Sequence, residues 1–240
     1  IISQKNELLK LYKNVSVIGK IGDQAGKFNL PYGSTFYNGR LFVTDCINNK
    51  VQVFNKQGRR LVTFGQKGNK TGHLGGVSDI QVRNDKIYIT EQRNHRISVF
   101  GFDGKFIESF GSYARSRENP NEKVGMFDTP IGLDVTHKNL IIADHHNYRI
   151  QSINLENGDP NWVSYNKKDD DFDWMEPYYV KVDKKRNLIF VSNRTRNNIG
   201  VMNMFGKKLY KFGDKILNYP HELDIDEKGN IYIADRKNYR

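Results

Sequence analysis

The apolar positions of this chain fall in short runs, not at helical spacing. Leu41-Phe-Val, Ile87-Tyr-Ile, Leu140-Ile-Ile, Leu188-Ile-Phe-Val and Ile231-Tyr-Ile are rich in β-branched and aromatic side chains, as strands covered on both faces are. A second run follows, as in Val51-Gln-Val-Phe and Ile97-Ser-Val-Phe. A third precedes, as in Ser78-Asp-Ile-Gln-Val, Ile131-Gly-Leu-Asp-Val, Tyr178-Tyr-Val-Lys-Val and Glu222-Leu-Asp-Ile. A fourth closes the group at Leu61-Val-Thr-Phe-Gly, Ile107-Glu-Ser-Phe-Gly and Leu209-Tyr-Lys-Phe-Gly. Asn38-Gly, Asp103-Gly and Lys228-Gly-Asn supply turns between the runs. Only Asn6-Glu-Leu-Leu-Lys-Leu-Tyr12 predicts a short helix.

The runs flank a recurring segment. Thr44-Asp-Cys-Ile-Asn-Asn-Lys-Val-Gln-Val-Phe54 aligns with Thr90-Glu-Gln-Arg-Asn-His-Arg-Ile-Ser-Val-Phe100 and with Ala143-Asp-His-His-Asn-Tyr-Arg-Ile-Gln-Ser-Ile153. Ser192–Met202 is a degraded copy, and Ala234-Asp-Arg-Lys-Asn-Tyr-Arg240 a fifth. The acidic position recurs at Asp45, Glu91, Asp144, Asn193 and Asp235, spaced by 46, 53, 49 and 42 residues. Four strands per unit of this length is the period of a propeller blade.

The order of a proline, a strand, a turn, a strand ending in Ala-Asp or Thr-Asp, Asn-x-Arg/Lys-Ile/Val-Gln-Val-Phe and then Phe-Gly resembles the NHL repeat. The resemblance covers residues 17–240, and is strongest at Leu140–Arg149 and Ile231–Arg240. It is most similar to the NHL domain of tripartite-motif proteins. It implies an all-β propeller of four-stranded antiparallel blades, six expected, five visible as repeats and the last incomplete. Residues 1–16 read as a linker or leader from a preceding region, where a ligase domain could stand. The lone strand Val15–Gly22 reads as the last strand of a blade whose other strands lie at the C-terminal end. Either a sixth blade lies outside this sequence, the preferred reading, or a five-bladed ring closes by itself.

Composition narrows the class. Hydrophobic residues make up 37% and charged residues 27%, with 14 Phe and 13 Tyr, too aromatic for a disordered chain and too polar for a membrane protein. No apolar run approaches the ~18–20 residues of a membrane span, so no membrane insertion is expected. The single cysteine, Cys46, excludes an internal disulfide and a CxxC metal site, and favours a cytoplasmic setting. The three Asn-x-Ser/Thr sequons at Asn14, Asn69 and Asn193 are what an Asn-rich chain produces by chance. Net charge is +11, which suits a polyanion partner or simple solubility.

In the Asp-x-x-Asn-x-Arg loops, the acids and asparagines are expected to hold the connection by bonding nearby backbone. The other residues are freer to act: Arg93, His95, Arg96, His145, Tyr148, Arg149, Arg194, Arg196, Arg236 and Lys237. The residues after the strand-opening prolines, Tyr32, Tyr178 and His221, should sit near the channel mouth on the same face. Aromatic and guanidinium planes there could stack bases. In tripartite-motif NHL proteins this face binds single-stranded or hairpin RNA, and the resemblance implies an RNA site at these thirteen positions. The five loop segments hold nine Lys/Arg against four acids. The blade-joining loops are nearly neutral, with Asp169-Asp-Asp-Phe-Asp173 as an offset, and the opposite turns are basic too. Charge therefore does not select one face.

Catalytic signals are sparse. Asp144-His145-His146 invites a metal, as NHL-like propellers include a zinc-dependent lyase, but the equivalent loops offer no converging ligands. Gly-x-Ser-x-Gly and phosphate-cradling glycine loops are absent. The expectation is a monomeric binding propeller, with no enzyme activity, cofactor, metal or DNA specificity. It would recognise a short single-stranded or stem-loop RNA for post-transcriptional regulation. The alternative is a protein–protein interaction platform, recruiting ubiquitin-ligase substrates or serving as a scaffold without RNA.

Overall fold

The computed structural model describes residues 17–167 and 173–240. The helix expected at Asn6–Tyr12, the start of the strand expected at Val15–Gly22, and all but Asp173 of the 169–173 acidic run lie outside them.

The strands form where the apolar runs predict them. The first sheet is β1 (Pro31–Tyr37), β2 (Arg40–Asp45), β3 (Lys50–Asn55) and β4 (Arg60–Phe64); the second is β5 (Val77–Arg83), β6 (Lys86–Glu91), β7 (Arg96–Gly101) and β8 (Phe106–Phe110). The third is β9 (Pro130–Val135), β10 (Asn139–Asp144), β11 (Arg149–Asn154) and β12 (Pro160–Ser164); the fourth is β13 (Pro177–Asp183), β14 (Leu188–Asn193), β15 (Asn198–Asn203) and β16 (Lys208–Phe212). β17 (Pro220–Ile225) and β18 (Ile231–Asp235) make a two-stranded sheet. All pairings are antiparallel between sequence neighbours. The first strand of each sheet contacts the first strand of the next, β1 to β5 to β9 to β13 to β17. This is a propeller with four complete blades among the described residues.

β1 and β12 were not among the predicted strands. Pro31-Tyr-Gly-Ser-Thr-Phe-Tyr37 and Pro160-Asn-Trp-Val-Ser164 break their apolar residues with Gly, Ser, Thr or Asn, so neither shows a run. Within Val15–Gly22, residues 17–20 form no strand, and Ile21 makes a single parallel bridge to Phe28. Lys67 to Leu74 and Tyr113 to Phe127 repeat that bridge after complete blades.

The core lies between blades, and the two-residue period of a strand builds it. Leu140 and Ile142 face the second blade, against Tyr88, Ile97 and Val99. Ile141 and Ala143, one residue along, face the fourth blade, against Trp174, Val180 and Ile189. Both faces of a middle strand are thus apolar, which is why the sequence shows runs and not alternation.

The inner strands approach each other closely. A Cβ on Gly132 would stand 2.6 Å from the Tyr179 Cα, so only glycine fits. Their channel-facing N–H groups need partners, and acids provide them. Asp79 Oδ2 accepts from the Leu133 amide and Asp134 Oδ2 from the Val182 amide, each at 2.8 Å. Burial pushes the Asp79 pKa up to about 8 against its two backbone donors. Thr44 and Thr90 donate across blades to the Ser78 and Ile131 carbonyls, both at 2.6 Å. Among the described residues no helix is long and apolar enough to cross a membrane.

Candidate functional site

The recurring acid is a structural bolt. Asp144, fully buried, accepts from the Asp128 amide at 2.7 Å and from Asn147 Nδ2, Arg149 Nε and Gln151 Nε2 at 2.8–2.9 Å. Glu91 does the same with the Gly75 amide, Asn94, Arg96 and Ser98, and Asp235 with the Asn218 amide, Asn238 and Arg240. Each acid thereby clips the loop between the second and third strands to the loop that enters its own blade. Cys46, Gln92, His146 and Lys237 reinforce the clip by donating their amides to Leu30, Gly76, Asp128 and Asn218 carbonyls. These two sets of loops therefore share one face of the propeller.

The residue four positions after the recurring Asp, Glu or Asn is left-handed in every copy: Asn49, His95, Tyr148, Asn197 and Tyr239 have φ of 52–56°. So is the residue before each inner strand, Leu30, Gly76, Thr129, Glu176 and Tyr219, with φ of 54–63°. Side chains of the first set cap amides of the second. Asn49 accepts from Gly76 at 2.6 Å, Asn197 from Tyr219 at 2.8 Å and His95 Nδ1 from Thr129 at 3.1 Å.

These contacts give structural work to three of the positions expected to bind. Arg149 is wholly buried, with its guanidinium on Asp144 and on the carbonyls of Pro120, Glu122, Lys123 and Met126. Arg96 holds Glu91 and the carbonyls of Asn69, Lys70 and His73. His95 is turned into the blade junction, and burial lowers its pKa. Arg149 therefore offers no surface to a ligand, whereas Arg96 and His95 keep part of their side chains exposed beside these structural contacts. The sequence signal was present: Arg96 and Arg149 recur in register with Lys50 and Arg240, as structural positions do.

The structure brings other predicted residues together. Tyr178 is the hub. Its hydroxyl is hydrogen-bonded to that of Tyr32, and its ring lies 4.1 Å from His221 and 5.5 Å from His145. The Arg194 guanidinium lies over the same ring at 4.5 Å and over Tyr219 at 4.7 Å. Tyr219 also carries Lys237 at 4.1 Å and Arg236 at 5.8 Å. A cavity of about 540 Å³ opens here, lined by Tyr32, Tyr178, His221, Arg236, Leu30 and Arg240 among others. His221 Nε2 and Arg194 Nε are buried with no hydrogen-bond partner among the described residues.

Electrostatics sort these groups. Burial, reinforced by Arg194 and His146, pushes His145 down to about 3. Burial with Arg236 and Arg194 pushes His221 down to about 4. Both imidazoles are neutral near pH 7 and act as flat rings, while Arg194, Arg236 and Lys237 hold the charge. Arg194 is partly neutralised by Glu176 at 2.9 Å, and Arg196 is paired with Asp173. Arg93 is exposed on the second blade, apart from this cluster. Tyr148 sits at the rim of the third blade under the Arg117 guanidinium, 4.2 Å away. The Asp144-His145-His146 triplet does not converge as ligands, since Asp144 is in the bolt, His145 faces Tyr178, and His146 faces Asp128.

Tyr219, Glu176 and Arg117 escaped the sequence reading. Tyr219 and Glu176 stand just before the strand-opening prolines, where the left-handed backbone turns the side chain toward the mouth. Aromatic or charged residues at that position were the available signal.

No protein-family model matches the chain. Over 116 residues, 47% of the chain, it is 31% identical to Protein brain tumor of Drosophila melanogaster, a tripartite-motif NHL protein. The match spans only 11% of that relative's length. Among solved structures, virginiamycin B lyase from Staphylococcus aureus superposes with a TM-score of 0.64 at 15% identity, covering 89% of this chain and 64% of the lyase. A streptogramin B lyase gives 0.62 at 17%, covering 85% and 68%. A chain of the nidogen/laminin complex gives 0.68 at 16%, covering 87% and 73%. At these identities the structural likenesses establish the fold alone. Together with the blades described above, they uphold the resemblance to NHL-type propellers, and the fold and the relative support a binding module.

The expectation that the propeller is not an enzyme is corrected by the same comparison. The lyases have this architecture, so the fold accommodates catalysis as well as binding and cannot be used against it.

Proposed function

We propose that this propeller, spanning residues 17–240 as one domain, binds a short single-stranded or stem-loop RNA on the face of its strand 2–3 loops, in post-transcriptional regulation. The observation that carries the reading is the Tyr178 hub, where Tyr32, Tyr178, His221 and Arg236 line one open cavity and Arg194 stacks on the Tyr178 ring. Neutral His221 adds π-surface without competing for phosphate, while His145, buried, backs the Tyr178 ring. Base stacking on such rings contributes about 1–3 kcal/mol per base and tolerates any sequence. Tyr32, Tyr178 and His221 would stack bases, with His145 behind Tyr178 and Tyr148 farther along the rim. Arg194, Arg196, Arg236, Lys237 and Arg93 would face phosphates. The Drosophila relative supports this choice through its NHL character alone.

Titration with an unstructured RNA pool at increasing salt tests the reading. Neutralising Z phosphates of a single strand gives a log–log slope of about −0.7Z. Absence of binding at low salt, or binding indifferent to salt, would sink it.

A protein-interaction platform is favoured by one feature. Arg194 and Arg196 already hold carboxylates, which suits aromatic and arginine anchors of a protein interface. Partner proteins recovered after nuclease treatment, with recovery unchanged by Arg194→Glu, would support that reading over RNA.

A further inference from the structure

The connection from the second to the third blade runs over residues 111–129, longer than those at 65–76, 165–176 and 213–219. Length alone would leave it loose, yet its backbone is tied down from below. Arg149 donates to the carbonyls of Pro120, Glu122, Lys123 and Met126. Asn147 accepts from the Ser116 amide and donates to the Ala114 carbonyl, both at 2.8 Å. Arg117 Nε donates to the His146 carbonyl. The bolt arginine of the third blade thus serves to fold this loop into a fixed shape.

The shape is concave. It encloses about 340 Å³ lined by Arg115, Ser116, Arg117, Glu118, Asn119, Glu122 and Lys123. Ser116 is only 5% exposed, and its Oγ has no hydrogen-bond partner among the described residues. A buried hydroxyl left unpaired is costly and rare, and the polar edge of a ligand would satisfy it. The Arg117 guanidinium rests on the Tyr148 ring at 4.2 Å, so aromatic and guanidinium planes are already layered beside the cavity.

The mixture of charges decides what fits. Two carboxylates beside the arginines argue against a bare phosphate. A group that offers acceptors on one edge and donors on another suits all of them. Guanine does so: its O6 and N7 accept from arginine, and its N1–H and N2–H groups donate to a carboxylate. Adenine and the pyrimidines lack this division. Single-stranded RNA exposes such edges, because its bases are splayed from the stack.

We propose that the loop at 111–129 is a guanine-reading subsite on the rim of the third blade, an extension of the interface at Tyr178. It rests on the RNA reading given above. Arg115 and Arg117 donate to O6 and N7, Glu118 and Glu122 accept from N1–H and N2–H, and the Ser116 hydroxyl takes a remaining polar edge.

The test uses the full chain and single-stranded 12-mers of uridine, either uniform or carrying one central guanosine, inosine or adenosine. Guanosine is expected to bind roughly tenfold tighter than adenosine, with inosine between them because it lacks the N2 amino donors. The Glu118→Gln/Glu122→Gln double variant removes the preference, read as the ratio of guanosine-strand to adenosine-strand affinity, because the loss of two negative charges raises affinity for every strand alike. Arg115→Gln, an exposed position, reduces the preference as well, and an unchanged melting temperature shows that both variants fold. If the wild-type chain binds uniform uridine and the guanosine strand equally, or if both variants keep the preference, the subsite is refuted and the RNA reading stands. Failure to bind any strand at low salt overturns the RNA reading and the subsite together.

Discussion

Arg149 in the third blade and Arg194 in the fourth lie on corresponding loops, and their surroundings could hardly differ more. Arg149 is enclosed by one carboxylate and four carbonyls with none of its surface open. Arg194 lies across two tyrosine rings beside a cavity, with one nitrogen unpartnered. The difference follows from position in the repeat. Arg149 is five residues after the bolt acid, where the chain re-enters the sheet and its side chain lies back along the loop. Arg194 is one residue after Asn193, on the 3-10 turn Arg194–Arg196, whose side chains project toward the mouth. A cation on this face is architecture at the first position and available for contact at the second.

The comparison breaks most sharply at the bolt. Arg149→Met leaves Asp144 buried without its counter-charge and releases the 111–129 loop, at a cost of about 3–5 kcal/mol, read by denaturant unfolding. The matching Arg194→Met should change stability by under about 1 kcal/mol, since its ion pair with Glu176 is partly solvated. Equal losses in the two variants would erase the distinction.

His145 tests the boundary between the regions, because it belongs to the third-blade loop and faces the fourth-blade cluster. Its folded pKa, about 3, lies below the ordinary histidine value. The unfolded chain therefore takes up a proton that the folded chain refuses. Stability from this group is fully present above about pH 6.5 and is lost as pH falls toward the folded value. Between pH 7 and pH 5 the wild-type chain should lose on the order of 1–2 kcal/mol more than His145→Gln, measured as the shift in urea midpoint. His221→Gln should shift the profile in the same direction by less, since His221 is more exposed. An identical pH profile for wild type and His145→Gln would show that the imidazole is not held neutral.

The smallest effect concerns binding. Arg194→Ala should weaken RNA several-fold and make the salt slope shallower by about 0.7, the loss of one phosphate contact. Loss of affinity with an unaltered slope would assign Arg194 to stacking on bases instead.

Much of the fold was legible because strands buried on both faces write themselves as apolar runs. Leu140-Ile-Ile-Ala-Asp and its counterparts gave blade period, strand order and the bolt acid. β1 was not legible, since Gly33, Ser34 and Thr35 interrupt the apolar residues of Pro31-Tyr-Gly-Ser-Thr-Phe-Tyr37. The site was legible in part. Tyr32, Tyr178 and His221 were found from the prolines before them, because a proline fixes where the inner strand starts and so what its neighbour faces.

The linear sequence determined the period, the antiparallel blade and the set of residues that stand on one face, since each depends on spacing along the chain and on local turn chemistry. Which charges on that face are free was decided only by the tertiary structure. The carbonyls that occupy Arg149 and the amide that occupies His95 come from segments 23–34 residues away. A hydrogen bond to a distant backbone group leaves no mark in the identity of the residue that supplies it, because every residue carries a carbonyl and nearly every residue an amide.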